Sequence, residues 1–141
     1  MKKWYILVAL VVVLGILVAI PAPEVTTTDY SQIEQVAKKA IREGTSDIHN
    51  FDIKVSKDEV KVAYECSEGD IPMTIGEVTG VYAGIVDYAP EVGNLHAYAF
   101  NSNGQKMAYY YCLNSWAKNT GVTEQASQKL VEKVFNTVAW Y

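Results

Sequence analysis

The stretch LHAYAFNSNGQKMAYYYCL, residues 95–113, decides the fold. Two runs of alternating side chains flank Asn101-Ser102-Asn103-Gly104, and Asn-Gly between such runs is the strongest short signal for a β-hairpin. A two-residue turn at Asn103-Gly104 sets Phe100 opposite Met107, Tyr98 opposite Tyr109 and His96 opposite Tyr111, all on one side of the sheet. The other side carries Leu95, Ala97, Ala99, Ala108, Tyr110 and Cys112. Short alanine side chains let a helix come close, so this second side is assigned to the core and the aromatic side is left open. A three-residue turn would re-pair the faces and bury the tyrosines, and the sequence leaves that alternative standing.

A second hairpin precedes it. Phe51, Ile53 and Val55 alternate with Asp52 and Lys54, and after Lys57-Asp58 the residues Val60, Val62, Tyr64 and Cys66 alternate with Lys61, Ala63 and Glu65. This is period two with one wet face. Pairing across a two-residue turn puts both apolar sets on the same side, as a single core face requires.

Helical spacing fills the remaining stretches. Asp29 is placed to cap a helix in which Tyr30, Ile33, Ala37, Ala40 and Ile41 share a face, and Gly44 is placed to end it. Thr123 caps a last helix over residues 124–138, with Ala126, Leu130, Val131, Val134, Phe135 and Val138 as its buried stripe. Between the hairpins, residues 73–89 carry Ile75, Val78, Val81, Tyr82, Ile85 and Val86 on one broad helical arc. Gly76, Gly80 and Gly84 lie opposite with Asp87, and Glu77 beside them. Helix is the expectation here, and strand is the alternative, because valine, threonine and tyrosine favour sheets. Three glycines on one helical face cost about 1 kcal/mol each relative to alanine. Close approach of another backbone would offset that cost, so Gly76, Gly80 and Gly84 are candidates for an interface with a partner.

The order is then α-β-β-α-β-β-α, an α+β domain with a four-stranded sheet and helices mainly on one face. Ahead of it, WYILVALVVVLGILVAI, residues 4–20, follows Lys2 and Lys3. The run is about long enough to cross a hydrocarbon core as a helix, and the positive-inside rule leaves the N-terminus in the cytoplasm. Residues 1–20 are therefore expected to be a transmembrane anchor, 21–28 (PAPEVTTT) a linker and 29–141 an extracytoplasmic domain. A cleaved signal peptide is the competing reading, although Ile20-Pro21-Ala22-Pro23 offers a poor cleavage site. Either reading puts the domain outside a single-pass or secretory boundary.

Composition narrows the function. Of the twelve basic residues, Lys2 and Lys3 belong to the anchor, leaving ten against sixteen acidic ones. That balance argues against nucleic acid as a partner. Two cysteines and two histidines, widely spaced, match no zinc or redox pattern. No nucleophile elbow, Walker loop, dinucleotide fingerprint or His-Glu-x-x-His is present. The chain is expected to be no enzyme and to need no cofactor.

The pieces Gly80-Val-Tyr-Ala-Gly-Ile-Val-Asp87, the Asn103-Gly104 hairpin running into Asn114-Ser-Trp-Ala117, and Val134-Phe-Asn-Thr-Val138 resemble short, uncharacterised membrane-anchored envelope proteins of archaea with no assigned function. The resemblance spans most of the external domain and carries no activity. The sequence thus points to a membrane-anchored extracytoplasmic binding module, an accessory subunit or homo-oligomeric adaptor of the cell envelope. Its partner would be a protein or a second copy, held on His96, Tyr98, Phe100, Met107, Tyr109 and Tyr111. A small-molecule sensor or solute-binding domain is the alternative, and an enzyme with an unrecognised site is a third.

Overall fold

A computed structural model describes residues 30–45, 47–120 and 124–141 of the chain. The elements are α1 (Tyr30–Gly44), β1 (Phe51–Val55), β2 (Glu59–Glu65), a 3-10 turn (Glu68–Asp70), α2 (Ile71–Tyr88), β3 (Asn94–Phe100), β4 (Lys106–Cys112), α3 (Asn114–Thr120), α4 (Glu124–Phe135) and β5 (Ala139–Trp140).

The five strands lie in sequence order, β1-β2-β3-β4-β5. Both hairpins are antiparallel, but β2 and β3 run parallel. Parallel neighbours need a crossover rather than a tight turn, and α2 supplies it. Among the described residues the helices cover one face of the sheet. Ile53, Val60, Val62, Leu95, Ala97 and Ala108, pointing to that face, are all 1% exposed or less. Where β3 offers only alanines, two tyrosines from its neighbours arch over it. Tyr64 is opposite Ala99 and Tyr110 opposite Ala97, and their hydroxyls meet at 2.8 Å. Tyr64 also shares a 2.8 Å hydrogen bond with Thr74 Oγ1, which donates to the Ile71 carbonyl. Three buried hydroxyls thereby satisfy one another, as buried polar groups must.

Close approach also fixes where β3 begins. An alanine Cβ at Gly93 would stand 2.1 Å from the Asp58 carbonyl oxygen in the β1–β2 turn. The Gly93 amide donates to the Ser56 carbonyl at 3.1 Å, and Tyr82 of α2 donates its hydroxyl to the Gly93 carbonyl at 2.8 Å. One residue ties the first hairpin, the crossover helix and the second hairpin together.

The expected fold class needs correcting. The sheet has five strands and is mixed, not four-stranded, because Ala139 and Trp140 add to the edge of β4. Among the described residues no helix is long and apolar enough to cross a membrane. The most apolar of them, α2, is instead buried within the domain and carries Glu77 and Asp87. The anchor and linker expectations, and the caps at Asp29 and Thr123, lie outside the described residues. The helical reading of the glycine-rich segment agrees with α2, which begins two residues earlier, at Ile71.

Candidate functional site

The second hairpin builds the site. Leu95 pairs with Cys112, His96 with Tyr111, Ala97 with Tyr110 and Tyr98 with Tyr109, the register expected from a two-residue turn. The turn itself is different. Asn101 and Gln105 close it, with Gly104 at φ 77°. The Asn101 side-chain oxygen accepts from the amides of Asn103 and Gln105. A turn of this length alone would shift the pairing by one residue. A bulge between Ala99 and Phe100 shifts it back, so the tyrosines keep the outer face.

The outer face of β3 and β4 carries a continuous aromatic ribbon. Tyr98 and Tyr109 have ring centroids 5.0 Å apart, Tyr109 and Tyr111 6.4 Å, and Tyr111 stacks on Trp116 of α3 at 6.0 Å. His96 Nδ1 and the Tyr109 hydroxyl are 2.7 Å apart, with the two rings nearly parallel. Burial, and then the neighbouring Tyr98 and Tyr111, raise the Tyr109 phenol above its ordinary range. It stays a neutral hydroxyl at physiological pH.

Lysines rim the ribbon. The ammonium of Lys61 lies 5.6 Å from the Tyr98 ring, and that of Lys106 lies 5.3 Å from Tyr98 and 5.8 Å from Tyr141. Lys133 of α4 lies 5.7 Å from Trp116. Cations over ring faces are held by the ring quadrupole. These ammoniums keep the rings oriented and remain placed to meet acceptors from outside.

The structure brings together four of the six expected binding residues: His96, Tyr98, Tyr109 and Tyr111. Each is half-buried by its neighbours rather than fully exposed. The Phe100–Met107 pair is not formed. The bulge sets Phe100 opposite Lys106, and Met107 packs against the edge of the core. Gly76, Gly80 and Gly84 are all buried, so they present no face to a partner. The helix that carries them is the hub of the domain, packed against α1, α3 and α4 as well as β3.

Sequence reasoning missed Trp116, Lys106, Lys133 and Tyr141 as members of the site. Trp116 lies past the end of β4, and only the path of α3 brings it back onto Tyr111. It also missed a buried acid in α2. Glu77 is 3% exposed, and burial followed by the charge of Asp47 pushes its carboxyl up to about 8. An acid flanked by Ile75, Gly76, Val78 and Thr79 in the middle of a helix was the signal. Among the described residues no group of three or more His, Cys, Asp or Glu could hold a metal ion. Cys66 and Cys112 are free and buried. They stand at opposite ends of the sheet, since Cys66 bonds to Phe100 and Cys112 pairs with Leu95.

Fold and site together define an α+β module with one helix-covered sheet face and one open aromatic face. The chain belongs to a family described as a domain of unknown function, DUF8159, whose model matches residues 27–140. A search of the curated proteins and a search of the solved structures each find no match.

Proposed function

We propose that this protein is an extracytoplasmic interaction module of the cell envelope, an accessory subunit or adaptor that holds a protein partner on the open face of its sheet. One observation carries the reading: the ribbon Tyr98–Tyr109–Tyr111–Trp116, rimmed by Lys61, Lys106 and Lys133. Tyrosine and tryptophan are enriched at protein interfaces. They supply large contact areas at small cost in side-chain entropy. Here that cost is lower still, because each ring is already held by the next ring or by a lysine. The external location is supported by the apolar run Trp4–Ile20 following Lys2 and Lys3.

Hydroxyl-radical footprinting tests the proposal. The chain is oxidised in its native envelope and again after purification. Protection of Tyr98, Tyr109, Tyr111 and Trp116 in the envelope, lost on purification, is the expected result. Equal oxidation in both states would overturn it. Protection that persists in the purified protein and vanishes on dilution would identify the partner as a second copy.

A further inference from the structure

We infer that the partner held on the open sheet face presents an acidic polypeptide segment, whose carboxylates meet the ammoniums of Lys54, Lys61 and Lys106. The inference rests on the reading of that face as a site for a protein partner, and adds the chemistry of what binds there. Strand register carries it. Lys54 of β1 stands directly opposite Lys61 of β2, Lys61 opposite His96 of β3, and His96 opposite Tyr111 of β4. These residues form one row across the outer face. Neighbouring strands lie about 4.8 Å apart, so the row sets two lysines side by side with a histidine next in line. Like charges directly opposite each other in a sheet are destabilising. Lys54 and Lys61 are both exposed, so the core requires a charge at neither. An anion bound across the pair turns their repulsion into attraction.

The adjacent row points the same way. It runs through Asp52, Ala63, Tyr98 and Tyr109. The Tyr98 ring has the Lys61 ammonium at 5.6 Å and the Lys106 ammonium at 5.3 Å. Two cations, one from β2 and one from β4, thus gather at one ring. A carboxylate arriving over Tyr98 is attracted by both.

The acids of the same face decide what kind of anion fits. Asp52, Glu59 and Glu65 also point outward, each in a different row from the Lys54–Lys61 pair. Glu65 accepts from the Asn50 side-chain amide at 3.2 Å. A broad anionic surface such as a lipid bilayer would press on these acids as well as on the lysines. A polypeptide segment sets its carboxylates on the lysines alone and lays its apolar side chains along the aromatic ribbon, where tyrosine and tryptophan favour such contact. Charge complementarity of this kind acts chiefly on association rate and on the choice of partner.

Poly-L-glutamate added to the purified full chain at low salt tests the inference, read by tyrosine and tryptophan fluorescence. The chain has a formal net charge of −4, so its overall field repels a polyanion and binding requires a local cationic site. Binding is expected. Lys61→Gln or Lys106→Gln should weaken it roughly two- to fivefold, the scale of one exposed ion pair. Salt at about 1 M, where the Debye length is about 3 Å, should abolish it. Lys39→Gln, an exposed position on α1, should change nothing. No binding, or equal weakening by Lys39→Gln, would overturn the inference. Binding of polygalacturonate in place of poly-L-glutamate would overturn it too, and would reassign the lysines to an acidic glycan. Lys54→Gln adds a readout in the fold itself. It relieves the like-charge pair, so it should bind poly-L-glutamate less and melt no lower than wild type; a lower melting temperature would make Lys54 structural and contradict its role. Salt washing of the native envelope separates the two readings. Footprint protection of Tyr98 and Tyr109 should be lost at about 1 M salt. Protection that survives the wash would leave the partner site standing and overturn only its acidic chemistry, whereas protection absent at any salt would overturn both.

Discussion

Replacing Gly93 by alanine should cost this domain more than any other single glycine substitution at a described, non-helical position. The added Cβ would meet three backbone atoms of the β1–β2 turn: Asp58 O at 2.1 Å, Asp58 C at 2.2 Å and Glu59 N at 2.4 Å. Carbon atoms pack comfortably at about 3.5–4.0 Å, so the turn must retreat by about 1 Å or more. It is poorly placed to do so. Ser56 braces it, its amide donating to the Glu59 carbonyl at 3.0 Å and its hydroxyl accepting from the Asp58 and Glu59 amides. Overpacking costs about 1–3 kcal/mol. Separating the strands also weakens the Gly93–Ser56 hydrogen bond, worth about 1 kcal/mol. The expected loss is about 2–4 kcal/mol, or a fall in melting temperature of about 8–16 °C at about 4 °C per kcal/mol for a domain of this size. Two other glycines serve as controls. Gly69→Ala has nothing within 4 Å and should be neutral, or stabilise by up to about 1 kcal/mol through the unfolded chain. Gly104→Ala also has open space but sits at φ 77°, where an L-residue loses about 1–2 kcal/mol. Thermal melts of the three variants should rank Gly93→Ala lowest and Gly69→Ala highest. A Gly93→Ala protein melting within about 2 °C of wild type, well under the shift of a 1 kcal/mol change, would refute the account of how the two hairpins are joined.

The buried hydroxyl chain predicts an order among conservative variants. Tyr64→Phe strands the Tyr110 hydroxyl, whereas Tyr110→Phe leaves Tyr64 bonded to Thr74. The first should therefore cost about 1–3 kcal/mol and the second about 1 kcal/mol, as urea midpoints would show. Intact mass under non-reducing conditions should give two free thiols. Both should alkylate slowly at pH 8, roughly the ordinary thiol pKa, because burial chiefly pushes Cys66 up to about 11 and Cys112 to about 12. Thr137→Val should loosen the edge of β4, since the Thr137 hydroxyl accepts from the Tyr111 amide at 3.0 Å. Faster hydrogen exchange at Tyr111 would report it.

The two hairpins were legible because each has one wet face. Period two fixes which residues share a side, and a slip of one residue would bury His96 and Lys61 while exposing Leu95 and Val60. The turn at Asn101–Gln105 was not legible, because a three-residue turn plus a bulge gives the same register as a two-residue turn. The fifth strand has only two residues, too few to carry any period. The parallel pairing of β2 and β3 depends on how α2 crosses the sheet, which no local pattern encodes. Gly76, Gly80 and Gly84 were read as a surface because small residues at spacing four serve internal and external packing alike. Burial on several sides distinguishes the two, and it follows from the positions of α1, α3 and α4. The aromatic half of the site was readable from alternation along β3 and β4. Its lysine rim was not, since Lys133 reaches Trp116 from a different helix.

If the open face of the sheet holds a partner, Tyr109→Ala should change the affinity for whatever protein, or second copy, co-purifies with the wild-type chain. Tyr109 touches His96, Tyr98 and Tyr111, so its loss breaks the ribbon at its centre. Association should weaken by about 1–2 kcal/mol, the size of a moderate contact at an interface. Folding stability should fall by less, about 0.2–1 kcal/mol, as for an exposed cross-strand pair. Unchanged affinity together with a folding loss of several kcal/mol would contradict the account, because the ribbon would then be structural and the partner would bind elsewhere.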